Sequence, residues 1–140
     1  MTEGVLFALG SAVFAGLTAI LAKVGVEAVA SNLATFIRTV VVLAFVALLV
    51  SLRREWPHPG QLNHRSVVFL ILSGLTTGLS WLCYYRALQG SPVALVAPLD
   101  KLSLVVAILL AALVLGERLT TWQWAGTALM TLGAVLLAVR

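Results

Sequence analysis

Five apolar runs, each close to twenty residues long and parted by short polar turns, govern how this chain can fold. A helix needs about 20 apolar residues to cross the roughly 30 Å hydrocarbon core of a bilayer, at about 1.5 Å of rise per residue. The runs predict spans at about residues 4–26, 33–52, 66–88, 92–115 and 122–139. Backbone groups in hydrocarbon must find partners inside their own segment, so the runs are read as helices. The expected fold is therefore an all-α membrane protein, one domain over residues 1–140. Composition excludes a soluble fold: 61% of residues are hydrophobic and 10% charged. Soluble domains are about half apolar and a quarter charged. The net charge of +4 does not point to nucleic acid, because the basic residues are scattered and several lie inside apolar runs. Cys83 is the one cysteine and carries no disulfide framework or zinc cluster. Met1-Thr2-Glu3 has no basic segment and no small-residue cleavage site follows, so the first run is read as a retained span, not a signal peptide.

The turns have their own chemistry. Ser31 and Asn32 suit a helix N-cap. The loop Arg53-Arg54-Glu55-Trp56-Pro57-His58-Pro59-Gly60 is blocked from regular structure by two prolines and a glycine. Gln89-Gly90-Ser91-Pro92 reads as a tight connection, with glycine ending one helix, serine capping the next and proline at its first position. Residues Gly116 to Thr121 form the last turn. An odd number of spans places the termini on opposite faces. Loop charges on the N-terminal face are Arg53, Arg54, Arg65 and Arg118; those on the C-terminal face are Lys23, Arg86 and Arg140. That near tie gives almost no positive-inside bias. One weakly specified orientation and dual insertion are both open, and dual insertion would allow an antiparallel homodimer.

Charges inside the spans mark the candidate site. Asp100 and Lys101 are the only charges between Pro92 and Leu115. Asp100 lies about 12 Å along a helix that starts at Pro92, near the middle of the bilayer. Intramembrane charges are costly, avoid lipid and by default mark function. The alternatives are a polar cavity and a purely structural buried pair. Adjacent helix residues point about 100° apart, so the two are expected to contact other groups and not each other. Arg38 lies about 9 Å inside the second span, where it either snorkels or meets a partner such as Asp100. Lys23 is expected to snorkel, and Glu27 to be solvated. Arg86, beside Tyr84 and Tyr85, reads as part of an aromatic and basic belt. Pro98 removes a backbone hydrogen bond and clashes with the carbonyl of Ala94, which predicts a kink beside the charged pair.

In the third span Gly74, Gly78, Trp81 and Tyr85 recur on one helical face. The glycines suit close helix packing, and the two aromatic rings suit either packing or a cavity wall. Gly126 and Gly133, seven apart, suit packing in the fifth span. Trp122 and Trp124 read as interface anchors. His58 and His64 lie in the polar loop with no cysteine or carboxylate pair near them. No phosphate loop, zinc spacing or nucleophile elbow is present, so no catalytic set, metal site or cofactor is expected, and the chain is not read as an enzyme.

Ala97-Pro98-Leu99-Asp100-Lys101-Leu102-Ser103 together with Leu115-Gly116-Glu117-Arg118-Leu119-Thr120 resembles the second half of an EamA domain, of the drug/metabolite transporter superfamily. Leu79-Ser80-Trp81-Leu82-Cys83-Tyr84-Tyr85-Arg86-Ala87-Leu88 resembles that family's third span, and Arg38 stands where the family commonly carries an arginine. The resemblance covers essentially the whole chain and is closest to short, five-span members. It implies a secondary transporter or exporter of small solutes or metabolites in the inner cell membrane. Most relatives have ten spans in two inverted halves, so a five-span chain implies a homodimer completing the transporter. Asp100, Lys101, Arg38, Trp81 and Tyr85 are the expected substrate or coupling cavity, with Pro98 as the kink and Glu117 as a structural residue of the turn. The competing expectations are a non-transporting membrane assembly subunit and a small channel. The expected partners are the lipid bilayer, a second copy and a small-molecule or ion substrate, with no nucleic acid.

Overall fold

The computed structural model describes residues 3–57 and 62–139. The expected loop histidine at position 58 and the proline and glycine that follow it lie outside the described residues. The described chain is helical, with no strand. In order, the helices are α1 (Glu3–Gly25), α2 (Ser31–Leu52), α3 (His64–Gly90), α4 (Val93–Asp100), α5 (Leu102–Val114) and α6 (Thr121–Ala138). Among the described residues four stretches are long and apolar enough to cross a membrane: α1, α2, α3, and α4 with α5 taken together as Val93–Val114. The fifth expected span is not among them. α6 has 18 residues and opens on Thr121-Trp122-Gln123-Trp124, whose polar groups lower its hydropathy.

The chain divides into two compact units: residues 1–20 with 90–140, and residues 21–89. In the first, α6 packs against α4 and α5. Its buried residues on α6 are Thr127 and Ala134, seven apart on one face. The glycines expected to pack there, Gly126 and Gly133, are each one residue away, about 100° around the helix. A Cβ on either would meet nothing within 4 Å, and the same holds for Gly74 and Gly78 in α3. None of the four makes a close approach inside the chain. In the second unit the buried residues gather where the end of α1, the start of α2 and the end of α3 meet: Ala22, Val26, Ser31, Thr35, Tyr85 and Leu88.

Outside those small cores most large apolar side chains are exposed. Phe7 is 79% exposed and Leu113 81%. A soluble monomer rarely exposes contiguous apolar patches beyond a few hundred Å², so a hydrocarbon solvent is what makes this surface tenable. The hydroxyls show the same adaptation. Thr35, Thr39, Ser51, Thr77, Thr127 and Thr131 each donate to the carbonyl four residues earlier, at 2.8 or 2.9 Å. A hydroxyl with no water nearby can find its acceptor within its own helix.

The helix ends differ from the expected caps. α2 starts at Ser31 itself, and Ala30 is the N-cap with no side-chain cap. Extended backbone at Ala30 already directs its carbonyl to the N–H of Ala34 at 2.9 Å, which leaves Ser31 in the first turn. Pro92 is the N-cap of α4, and its carbonyl accepts from Leu95 and Val96 at 3.1 Å, so Val93 and not Pro92 is the first helical residue. His64 is helical, the first residue of α3. α2 ends with Arg54 at φ 54°, and the N–H of Glu55 reaches the carbonyl of Val50 at 3.0 Å. That is a left-handed helix stop, here occupied by arginine where glycine is the usual choice. Gly116, at φ 70°, serves the same purpose after α5, where the Glu117 N–H donates to the carbonyl of Ala111 at 3.2 Å. The Glu117 side chain is exposed, so its part in the turn is a backbone one.

Candidate functional site

The run from Val93 to Val114 is broken at Lys101, between α4 and α5. Pro98 lies inside α4 and has no N–H for the carbonyl of Ala94. Three residues on, the ladder tightens to three-residue steps. The Lys101 N–H donates to the carbonyl of Pro98 at 3.1 Å, and the Leu104 N–H donates to the carbonyl of Lys101 at 3.0 Å. A 3₁₀ step in mid-helix often marks a hinge or a strained sequence. Here it coincides with the two charges.

Asp100 and Lys101 pair with each other, Nζ to Oδ2 at 3.3 Å. This corrects the expectation that neighbours on a helix stay apart. The break at Lys101 interrupts the regular 100° stepping, and the long lysine side chain bends back to the carboxylate. The pair remains open: the side chains are 32% exposed at Asp100 and 54% at Lys101.

Arg38, Trp81 and Tyr85 come together in the other unit, on α2 and α3. The guanidinium carbon of Arg38 lies 4.2 Å from the centroid of the Trp81 ring and 5.8 Å from that of Tyr85. Its Nη1 donates to the Tyr85 hydroxyl at 3.2 Å. Trp81 and Tyr85 are four apart, so both rings stand on the same side of α3 and one cation can address both. Tyr85 is buried and meets Tyr84 edge to face, with centroids 6.3 Å apart at 81°. Arg38 and Tyr85 also line an opening of about 180 Å³, with Ala22, Val29 and Ile37 among its walls.

Two further contacts hold this end together. Lys23 Nζ donates to the Leu88 carbonyl at 2.7 Å, so it serves the last turn of α3 where snorkelling was expected. A cation at a helix C-terminus also suits the macrodipole. Gln89 Nε2 donates to the carbonyls of Val26 at 3.4 Å and Val29 at 2.9 Å, and so binds the α1–α2 connection. Nothing in the spacing of Gln89 announces that role. At the start of α6, Thr120-Thr121-Trp122-Gln123 is a capping-box sequence. The Thr120 hydroxyl accepts from the Gln123 N–H at 3.3 Å, and Gln123 Oε1 accepts from the Thr120 N–H at 2.7 Å.

Among the described residues no three of His, Cys, Asp or Glu come together in a way that could hold a metal ion. The long apolar helices define a multi-pass helical membrane protein. The chain belongs to the EamA-like transporter family, whose model matches residues 2–139. It is similar to a protein of Sinorhizobium sp. described as an uncharacterized transporter in the cobO 3′ region, with 50% identity over 133 residues, covering 95% of this chain and 94% of the relative. No solved structure matches.

Proposed function

We propose that this membrane transporter is a secondary carrier of small solutes or metabolites in the inner cell membrane, working as a homodimer around a polar cavity. Asp100 and Lys101 are its reacting pair. The observation that carries the reading is the open Asp100–Lys101 pair at a break in an apolar span. In hydrocarbon an unpaired charge costs several kcal/mol, so the pair is held together until something replaces one member. Protonation of Asp100, or a cation on it, releases the ammonium for an anionic solute group; loss of that group restores the pair. The break at Lys101 supplies a place for the two half-helices to shift, as broken helices do in other transporters. In this reading α6 is the fifth span, and a second copy supplies the other half of a ten-span arrangement. The open glycines Gly74, Gly78, Gly126 and Gly133 are free for close approach to that copy. An antiparallel pairing fits the near tie in loop charges.

The self-paired state of Asp100 and Lys101 favours a second reading, a non-transporting assembly subunit whose charges serve only folding. A solute-flux screen in proteoliposomes, with and without a proton gradient, decides between them. The carrier reading expects at least one solute class to move, faster with the gradient. No flux across the screen, from protein that is folded and inserted, supports the assembly subunit.

A further inference from the structure

Beside the start of α2, within the unit of residues 21–89, lies an opening of about 500 Å³ that no part of the proposed transport cycle uses. Ser31 and Asn32 of the first turn of α2 line it, as do Leu82, Cys83, Arg86 and Gln89 of α3. Among the described residues no carboxylate lines it. Arg86 is exposed, and among the described residues its guanidinium has no ion pair or hydrogen bond. Arginine's planar fork of donors matches the oxygens of phosphate and carboxylate.

Two independent features point the same way. The first turn of α2 has no side-chain cap, so its N–H groups are left without one at the positive end of a 22-residue helix. Ser31 is only 6% exposed, yet its hydroxyl has no hydrogen-bond partner among the described residues. Among the described residues no fully buried side-chain polar atom lacks a partner, so this hydroxyl keeps some access, and the opening is what Ser31 lines. A buried donor left idle beside bare N–H groups and an unpaired arginine is complementary to an oxyanion.

We propose that this opening is a binding site for a phosphate-type oxyanion, held by Arg86, the Ser31 hydroxyl and the first-turn N–H groups of α2. The group comes either from a soluble phosphate compound or from the headgroup of an anionic phospholipid, whose acyl chains would run down the apolar flank at Leu82. The site stands whether or not Asp100 and Lys101 carry transport, and its test reads no flux.

Cys83 is the chain's one cysteine, is exposed and lines the same opening, so it is a built-in reporter. The full chain in neutral detergent is labelled with N-ethylmaleimide, with inorganic phosphate or with chloride at equal ionic strength. It is also labelled in phosphatidylcholine vesicles with and without phosphatidylglycerol. Rates are compared as ratios within each variant, because removing a nearby cation alters thiol reactivity by itself. At ten times the dissociation constant, occupancy slows labelling about tenfold. Protection by phosphate over chloride identifies a soluble anion; protection only by phosphatidylglycerol identifies a lipid headgroup. Either protection is expected to vanish in Arg86→Gln, to weaken in Ser31→Ala and to persist in part in Arg86→Lys, with unfolding temperatures near wild type. Equal labelling rates with phosphate and chloride, together with equal rates with and without phosphatidylglycerol, overturn the proposal, as does protection that survives Arg86→Gln intact.

Discussion

Two charged regions of this chain solve the same problem in different ways. Arg38 is a cation in an unbroken span, and it is satisfied by two aromatic faces and a phenol oxygen. Lys101 is a cation in a broken span, and it is satisfied by the carboxylate beside it. The first arrangement needs no change of protonation and no counter-ion, so it is suited to holding α2 against α3. The second holds a neutralised pair that stays accessible, so it is suited to changing state. A charge inside a membrane helix therefore does not by itself say what it is for; its neutraliser does.

The largest effect is expected at the changeable pair. Asp100→Asn should abolish flux while the protein still inserts, at some cost in stability because Lys101 loses its counter-charge. Lys101→Met should also fold and lose transport. Wild-type flux in both variants would make the two regions alike and leave the pair as structure only. The opposite pattern is expected at the aromatic site. Trp81→Leu removes the closer of two cation–π contacts and should cost about 1–2 kcal/mol in unfolding experiments in detergent. A loss of flux with no loss of stability there would mean that Trp81 belongs with Asp100, as a ligand.

Smaller effects separate the helix ends of the two units. Thr120→Ala breaks the capping box of α6 and should cost about 1 kcal/mol. Arg54→Gly relieves a left-handed residue at the end of α2 and should gain up to about 1 kcal/mol. Both are read from unfolding in detergent, and both variants should transport like wild type. Altered flux in either would tie these termini to the moving parts.

Much of the fold is legible in the sequence because lipid permits so few structures. Long apolar runs had to be helices, and their limits in the structure fall within a few residues of the expected ones. The break at Asp100–Lys101 lies where proline and paired charges already disturbed the run. What was not legible depends on side-chain reach. Lysine at 101 is long enough to fold back on its neighbour, which helical spacing alone argues against. Lys23 and Gln89 find backbone carbonyls far away in sequence, at Leu88, Val26 and Val29, and no pattern encodes such meetings. Gly126 and Gly133 show the limit of small-residue spacing: Thr127 and Ala134 share the same seven-residue interval, and the helix turned those inward instead. Arg38 beside Trp81 and Tyr85 is intermediate. The aromatic face was visible, but which cation would meet it was not.

The central claim is that Asp100 faces a cavity that water reaches, and a single thiol tests it most directly. With Cys83→Ser as background, Asp100→Cys is labelled in intact membranes with a membrane-impermeant, charged thiol reagent, from each side in turn. A thiol in hydrocarbon stays protonated and meets no such reagent. Modification at position 100 is the result this account expects. An inert thiol at 100, in protein that labels normally at an exposed control position such as Glu55→Cys, would contradict it and leave Asp100 and Lys101 as a structural pair.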